Sequence, residues 1–240
     1  PQLPQNSHSP RIDFNIPLNL TEFSRIEGLF FNRSLNDKFL KTFQSAGKFY
    51  LRALQMSEHD PEIAYMNLIT AREILSNFYD YQKENLLDDK IKNTLKIISI
   101  SLPEGIKYVD EIQERLQQVK KRFTLTISSL VDDDFFSRSE SQDMIGRFSS
   151  NTFRKSIDAA YDLRSCYLHT GISFGKWISI KIGDKHYEVQ IGKPVLNDKK
   201  YANIISKAPT YVGLERIVRY CLIKFAQQNG IPIISQQENY

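Results

Sequence analysis

Arg164 and His169 lie five residues apart in YDLRSCYLHTG, Tyr161–Gly171, and their types suit acid–base and anion chemistry. An arginine offers a planar fork of donors to crowded anionic oxygens. A histidine titrates near neutrality, so it can take or give a proton in water. Arg164 falls in step with Phe153, Ile157, Tyr161 and Leu168, the spacing of one helical face. A guanidinium on an apolar stripe must be paired or must line a cleft, because burying it alone is costly. Five residues turn a helix by roughly 500°, so His169 sits about 140° round from Arg164. The two do not share a face of one ideal helix. Gly171 suits a helix terminus, which leaves His169 in the last turn.

A carboxylate for Arg164 is sought upstream. Asp60-Pro61 is a cap followed by proline at the first helical position, and it opens a helix running to about Tyr81. Ala64, Leu68, Ala71, Leu75 and Phe78 form one apolar stripe, and Met66 and Ile69 lie on another. A helix apolar on several sides is central. Glu73 lies in line with Met66 and Ile69, either as an end-of-stripe residue reaching water or as the partner that fixes Arg164.

LRSCYLHTG at the end of one helix, with DPEIAYMNLITAREIL (Asp60–Leu75) upstream, resembles the HEPN superfamily, most closely its Apea-like branch. The resemblance spans roughly residues 20–230. It implies a helical bundle and a metal-independent endoribonuclease acting as a homodimer, with two Arg–His motifs meeting across the interface. In that chemistry the 2′-hydroxyl of RNA is already tethered beside phosphorus, so the site aligns it, moves protons and holds charge. His169 is then the acid or base and Arg164 the phosphate stabiliser, with Glu73, Ser165 and Tyr167 in support. Many active ribonucleases of the superfamily carry Asn, Asp or His where this chain has Ser165. The alternative is a non-catalytic module for dimerisation, for RNA or nucleotide sensing, or for docking to a partner. The family also implies toxin or anti-phage defence settings, with a regulatory or upstream protein partner.

Composition narrows the classes. Hydrophobic residues make up 41% and charged residues 25%, as in ordinary globular chains. The net charge of +4 is uneven, with −2 over residues 1–140 and +6 over residues 141–240. The basic half holds the Arg–His stretch, which suits either a polyanion nearby or a solvated mixed surface. No apolar run reaches the ~18 residues of a membrane span. Cys166 and Cys221 read as small buried hydrophobes, and a reducing cytoplasm is expected. There is no phosphate-binding glycine loop, no GxSxG, no HExxH and no clustered Cys/His set, so neither metal nor cofactor is expected.

The positioning elements follow in order. Residues 1–19 hold four prolines and read as an extended or disordered arm, ahead of a helical domain over residues 20–240. A short helix is expected over Thr21–Asn32. A long one over Leu35–Glu58 follows, capped by Ser34 or Asn36. Asp88–Ser101 forms another. Gly105–Leu130 has the cleanest helical repeat, a seam able to meet a helix of this chain or of a partner. Asp132–Asp134 reads as a solvated turn. The period then changes to two: Ile178, Ile180 and Ile182, a turn at Gly183–Lys185, then Tyr187, Val189 and Ile191 predict a β-hairpin, with Trp177 anchoring its base. A last helix runs from Thr210 to about Gln228. The fold class expected is mostly α, a HEPN-like multi-helix bundle with one inserted hairpin near residues 177–191.

Overall fold

Short polar side chains start the helices, as their sequence positions predict. Asn36 accepts from the Lys38 N–H (2.7 Å), Asp60 from Ile63 (3.0 Å), Asp88 from Ile91 (2.8 Å) and Thr210 from Gly213 (3.1 Å). Each satisfies a backbone donor that the first helical turn leaves without a partner. The structure, a computed structural model, describes residues 27–28, 36–82, 86–115, 119–179 and 186–231. Ten α-helices are delimited within them: α1 Asp37–Met56, α2 Pro61–Ser76, α3 Asp89–Ser101, α4 Gly105–Arg115, α5 Val119–Leu130, α6 Asp133–Ser137, α7 Ser150–Thr170, α8 Gly175–Ile178, α9 Lys199–Ile205 and α10 Tyr211–Gln228. The arm over residues 1–19 and most of the helix expected over Thr21–Asn32 lie outside the described residues.

Helix α2 is the hub. It packs against α1, α5, α7, α8 and α10, and buries Ala64, Tyr65, Leu68, Ile69, Ala71 and Leu75. It stops at Ser76, short of the expected Tyr81. Phe78 and Tyr79 instead turn their rings onto Phe225 of α10, with centroids 4.9 and 6.1 Å away. The α10 residues Leu214, Ile217, Val218, Cys221 and Phe225 are all buried, as their spacing predicts. Tyr211 ties α10 to α1 through a hydrogen bond to the Ala53 carbonyl (3.0 Å).

The seam over Gly105–Leu130 is divided between α4 and α5, with residues 116–118 outside the described set. Phe123, Ile127 and Leu130 enter the core, whereas Ile112 and Val119 are exposed. Helices α3 and α4 pack chiefly on each other. No helix among the described residues is long and apolar enough to cross a membrane.

The predicted hairpin is not seen. Among the described residues there is no strand, only an isolated antiparallel bridge between Val189 and Pro209. Trp177 and Ile178 belong to the helical turn α8, and residues 180–185 lie outside the described set. The alternation misleads because Glu188, at an outward position of the expected strand, is itself fully buried. Trp177 does pack against the core.

Candidate functional site

Helix α7 carries the Arg–His stretch, and it leaves the core as it proceeds. Phe153 and Ile157 are buried and Tyr161 and Arg164 are half-buried, but Leu168 is 56% exposed. The apolar stripe read from the sequence thus runs out before the helix ends. Gly171 closes the helix in the left-handed region (φ 68°), which a side chain with a Cβ rarely adopts, and its N–H bonds the Tyr167 carbonyl (2.8 Å). Thr170 donates to the Cys166 carbonyl (2.6 Å) and accepts from the Ile172 N–H (3.2 Å).

Arg164 meets Glu73, as one of the two sequence readings proposed. Its Nη2 lies 3.3 Å from Glu73 Oε2, with the side chains 26% and 15% exposed. Nη1 reaches the Tyr161 hydroxyl at only 3.5 Å, and the guanidinium carbon sits 5.3 Å from that ring's centre. Arg164 Nε and Glu73 Oε1 are buried and have no hydrogen-bond partner. Burial, and then the Glu73 charge, raise the Tyr161 pKa above its usual value. The pair is real but underused: one long contact engages groups that could make several.

His169 is exposed in the last turn of α7, and among the described residues no hydrogen bond or ion pair holds its ring. It does not cap its own helix; Gly171 and Thr170 do. Leu168 and Ile172, on either side of it in sequence, are 56% and 44% exposed. Ser165 is half-buried. Tyr167 sets its ring edge-on against Phe174, centroids 5.5 Å apart, so packing already occupies part of it.

Sequence reasoning missed four buried or half-buried charges. Glu62, in the first turn of α2, accepts from the Ser173 hydroxyl (2.5 Å) and from the N–H groups of Phe174 (2.5 Å) and Gly175 (2.7 Å). Burial pushes its carboxyl up, but these hydrogen bonds outweigh that, and its pKa lies below the usual range. Arg72 is fully buried, with Cys221 and Tyr79 near enough to feel its charge and, among the described residues, no oxygen acceptor hydrogen-bonded to its nitrogens. Glu188 and Arg216 pair at 2.7 Å deep in the core. Glu62 had a local signal, an acid in the first turn after a capped proline, and Arg72 had its spacing from Leu68 and Leu75. Glu188 and Arg216 depend on contacts far apart in sequence.

No family model, curated protein or solved structure matches the chain. The site must therefore be read from its own residues. It offers an underused arginine, a solvent-facing histidine and flanking exposed apolar side chains on one helix end. Among the described residues no three His, Cys, Asp or Glu side chains gather as metal ligands would.

Proposed function

We propose that the chain is a metal-independent endoribonuclease of HEPN type, with a composite Arg164/His169 site formed across a homodimer interface. The observation that carries this reading is the contrast within α7: Arg164 keeps unmet donor capacity beside Glu73, and His169 faces solvent with its ring unengaged. A phosphate would give the guanidinium the fork-to-oxygen geometry that Glu73 supplies only in part. His169 would take the 2′-hydroxyl proton or return one to the leaving 5′-oxygen. A two-fold axis would supply a second histidine, so that acid and base are separate groups. Exposed Leu168 and Ile172 beside His169 suit contact with a second copy. The net charge of +6 over residues 141–240 favours a polyanion on this side of the sequence.

One observation favours the second reading, a non-catalytic dimerisation, sensing or docking module: Arg164 already has a carboxylate partner, so its charge has a structural use. Incubating purified protein with mixed RNA in EDTA, beside a His169→Ala control, separates the two. The enzyme reading predicts cleavage by wild type and a loss of about 10²–10⁴-fold in the variant. Light scattering adds the assembly test. A strict monomer at tens of micromolar that still cuts RNA would contradict the composite site.

A further inference from the structure

Helix α2 contacts α7 and α8, and it grips the Arg–His region at two places. Glu73, near its end, holds Arg164. Glu62, eleven residues earlier in its first turn, binds the chain just beyond His169. We propose that Glu62 is the positioning residue for His169, the counterpart of Glu73 for Arg164, so that one rigid helix sets the relative placement of both functional side chains. The proposal rests on the reading of His169 as the acid–base group.

One carboxylate oxygen, Glu62 Oε1, collects three donors from three consecutive residues, Ser173, Phe174 and Gly175. These include two backbone N–H groups at the start of α8, where an α-helix of any length leaves its donors without intrahelical partners. Gly171 and Thr170 define where α7 ends, and the Tyr201 hydroxyl of α9 donates to the carbonyls of Ile172 (3.4 Å) and Ser173 (3.2 Å). The segment after His169 is thereby tied from both sides, while the ring itself is held by nothing else described. Gly175 is packed so closely that a Cβ there would meet Glu62 and Pro61 side-chain atoms at 3.1 Å. The Glu62 stem thus packs against the Gly175 backbone, while the contact with the Ser173 hydroxyl lies at the surface. A catalytic group misplaced by about 1 Å can lose on the order of 10²-fold in rate, which gives such an anchor functional weight.

The test compares wild type, Glu62→Ala and Glu62→Gln, whose amide oxygen can still accept. Two readouts are taken: single-turnover cleavage of RNA, and NMR of the His169 ring, assigned with His169→Ala, together with hydrogen exchange at the Phe174 and Gly175 amides. Glu62→Ala is expected to slow cleavage by about 10–100-fold with little change in KM, to move the His169 resonance and to strip protection from both amides. Glu62→Gln is expected to fall between the two. Should Glu62→Ala fail to fold, Glu62→Gln against wild type carries the same comparison. If wild type cuts no RNA, the enzyme reading falls while the NMR readout still decides the positioning. A folded variant whose His169 resonance and cleavage rate match wild type would overturn the proposal.

Discussion

Two of the arginine–glutamate pairs that bridge distant parts of the chain among the described residues are built to opposite specifications. In the core, Arg216 of α10 and Glu188 are 6% and 0% exposed and meet at 2.7 Å. Glu188 Oε1 also accepts from the Ser139 hydroxyl (2.9 Å) and the Glu140 N–H (3.1 Å), and Oε2 accepts from Phe148 (3.1 Å). Arg216 donates as well to the carbonyls of Phe135 and Arg138, and stacks 3.9 Å from the Phe135 ring centre. At the end of α2, Arg164 and Glu73 are partly exposed, meet at 3.3 Å, and leave Arg164 Nε and Glu73 Oε1 without partners. The core pair is architecture: it pins the loops around residues 139–148 and 188 onto α10, and it leaves no buried nitrogen or carboxylate oxygen of either side chain without a partner. An unsaturated pair holds an arginine in place while leaving part of its fork uncommitted.

The difference can be tested from the strong side first. Glu188→Gln should cost about 3–5 kcal/mol, because it leaves the Arg216 charge buried without its counter-charge. For a chain of this length each 1 kcal/mol lowers Tm by roughly 2–4 °C, so calorimetry should show a drop of about 6–20 °C. A drop under about 2 °C would mean the two pairs are not different in kind.

Glu73→Gln should have a smaller effect on stability, about 1 kcal/mol, since water already screens part of the pair. It should release Arg164 and so change RNA binding or cleavage more than it changes Tm. A melting curve superimposable on wild type, with unchanged activity, would refute the pairing.

The smallest effect concerns acid stability at the rim. Hydrogen bonds from Lys224 and then Tyr220 hold the Asp132 carboxyl down at about 2, below the ordinary aspartate value near ~3.9. A depressed folded-state pKa stabilises the fold above the unfolded value and loses that contribution as pH falls toward about 2. Glu62 acts in the same direction. Asp132→Asn should therefore flatten the fall of Tm between about pH 4 and 2 slightly, because the side chain is half exposed. An unchanged slope would remove Asp132 from the set of acid-sensitive contacts.

What could be read from the sequence was what local geometry decides. Asn36, Asp60-Pro61, Asp88 and Thr210 mark helix starts because a cap and its target N–H lie within three residues. The central place of α2 was legible because its apolar residues occupy more than one face. Arg164 and Glu73 each stood out as a charge on an inner stripe, although their meeting across 91 residues was only one of two readings. Glu188 was hidden for the opposite reason. Tyr187, Glu188 and Val189 alternate like a half-buried strand, but the segment has its charged residue in the core, answered by Arg216 from 28 residues away. Periodicity sorts polar from apolar positions and is blind to a buried ion pair. Arg72 is a separate case: it is fully buried within α2 with no ion pair among the described residues to explain it, although its spacing from Leu68 and Leu75 places it on an inner stripe.

The most direct test of the Arg164/His169 account is the chemistry of the product ends. An oligodeoxynucleotide carrying a single ribonucleotide within a preferred cleavage sequence is incubated with the protein in EDTA. Cleavage is predicted only at the ribonucleotide, leaving a 2′,3′-cyclic phosphate and a 5′-hydroxyl. It should be lost by about 10²–10⁴-fold in His169→Ala, and it should fail in Arg164→Lys because a point charge cannot replace the planar fork. Cleavage of the all-deoxy control at a similar rate, or a full rate in His169→Ala, would contradict the account.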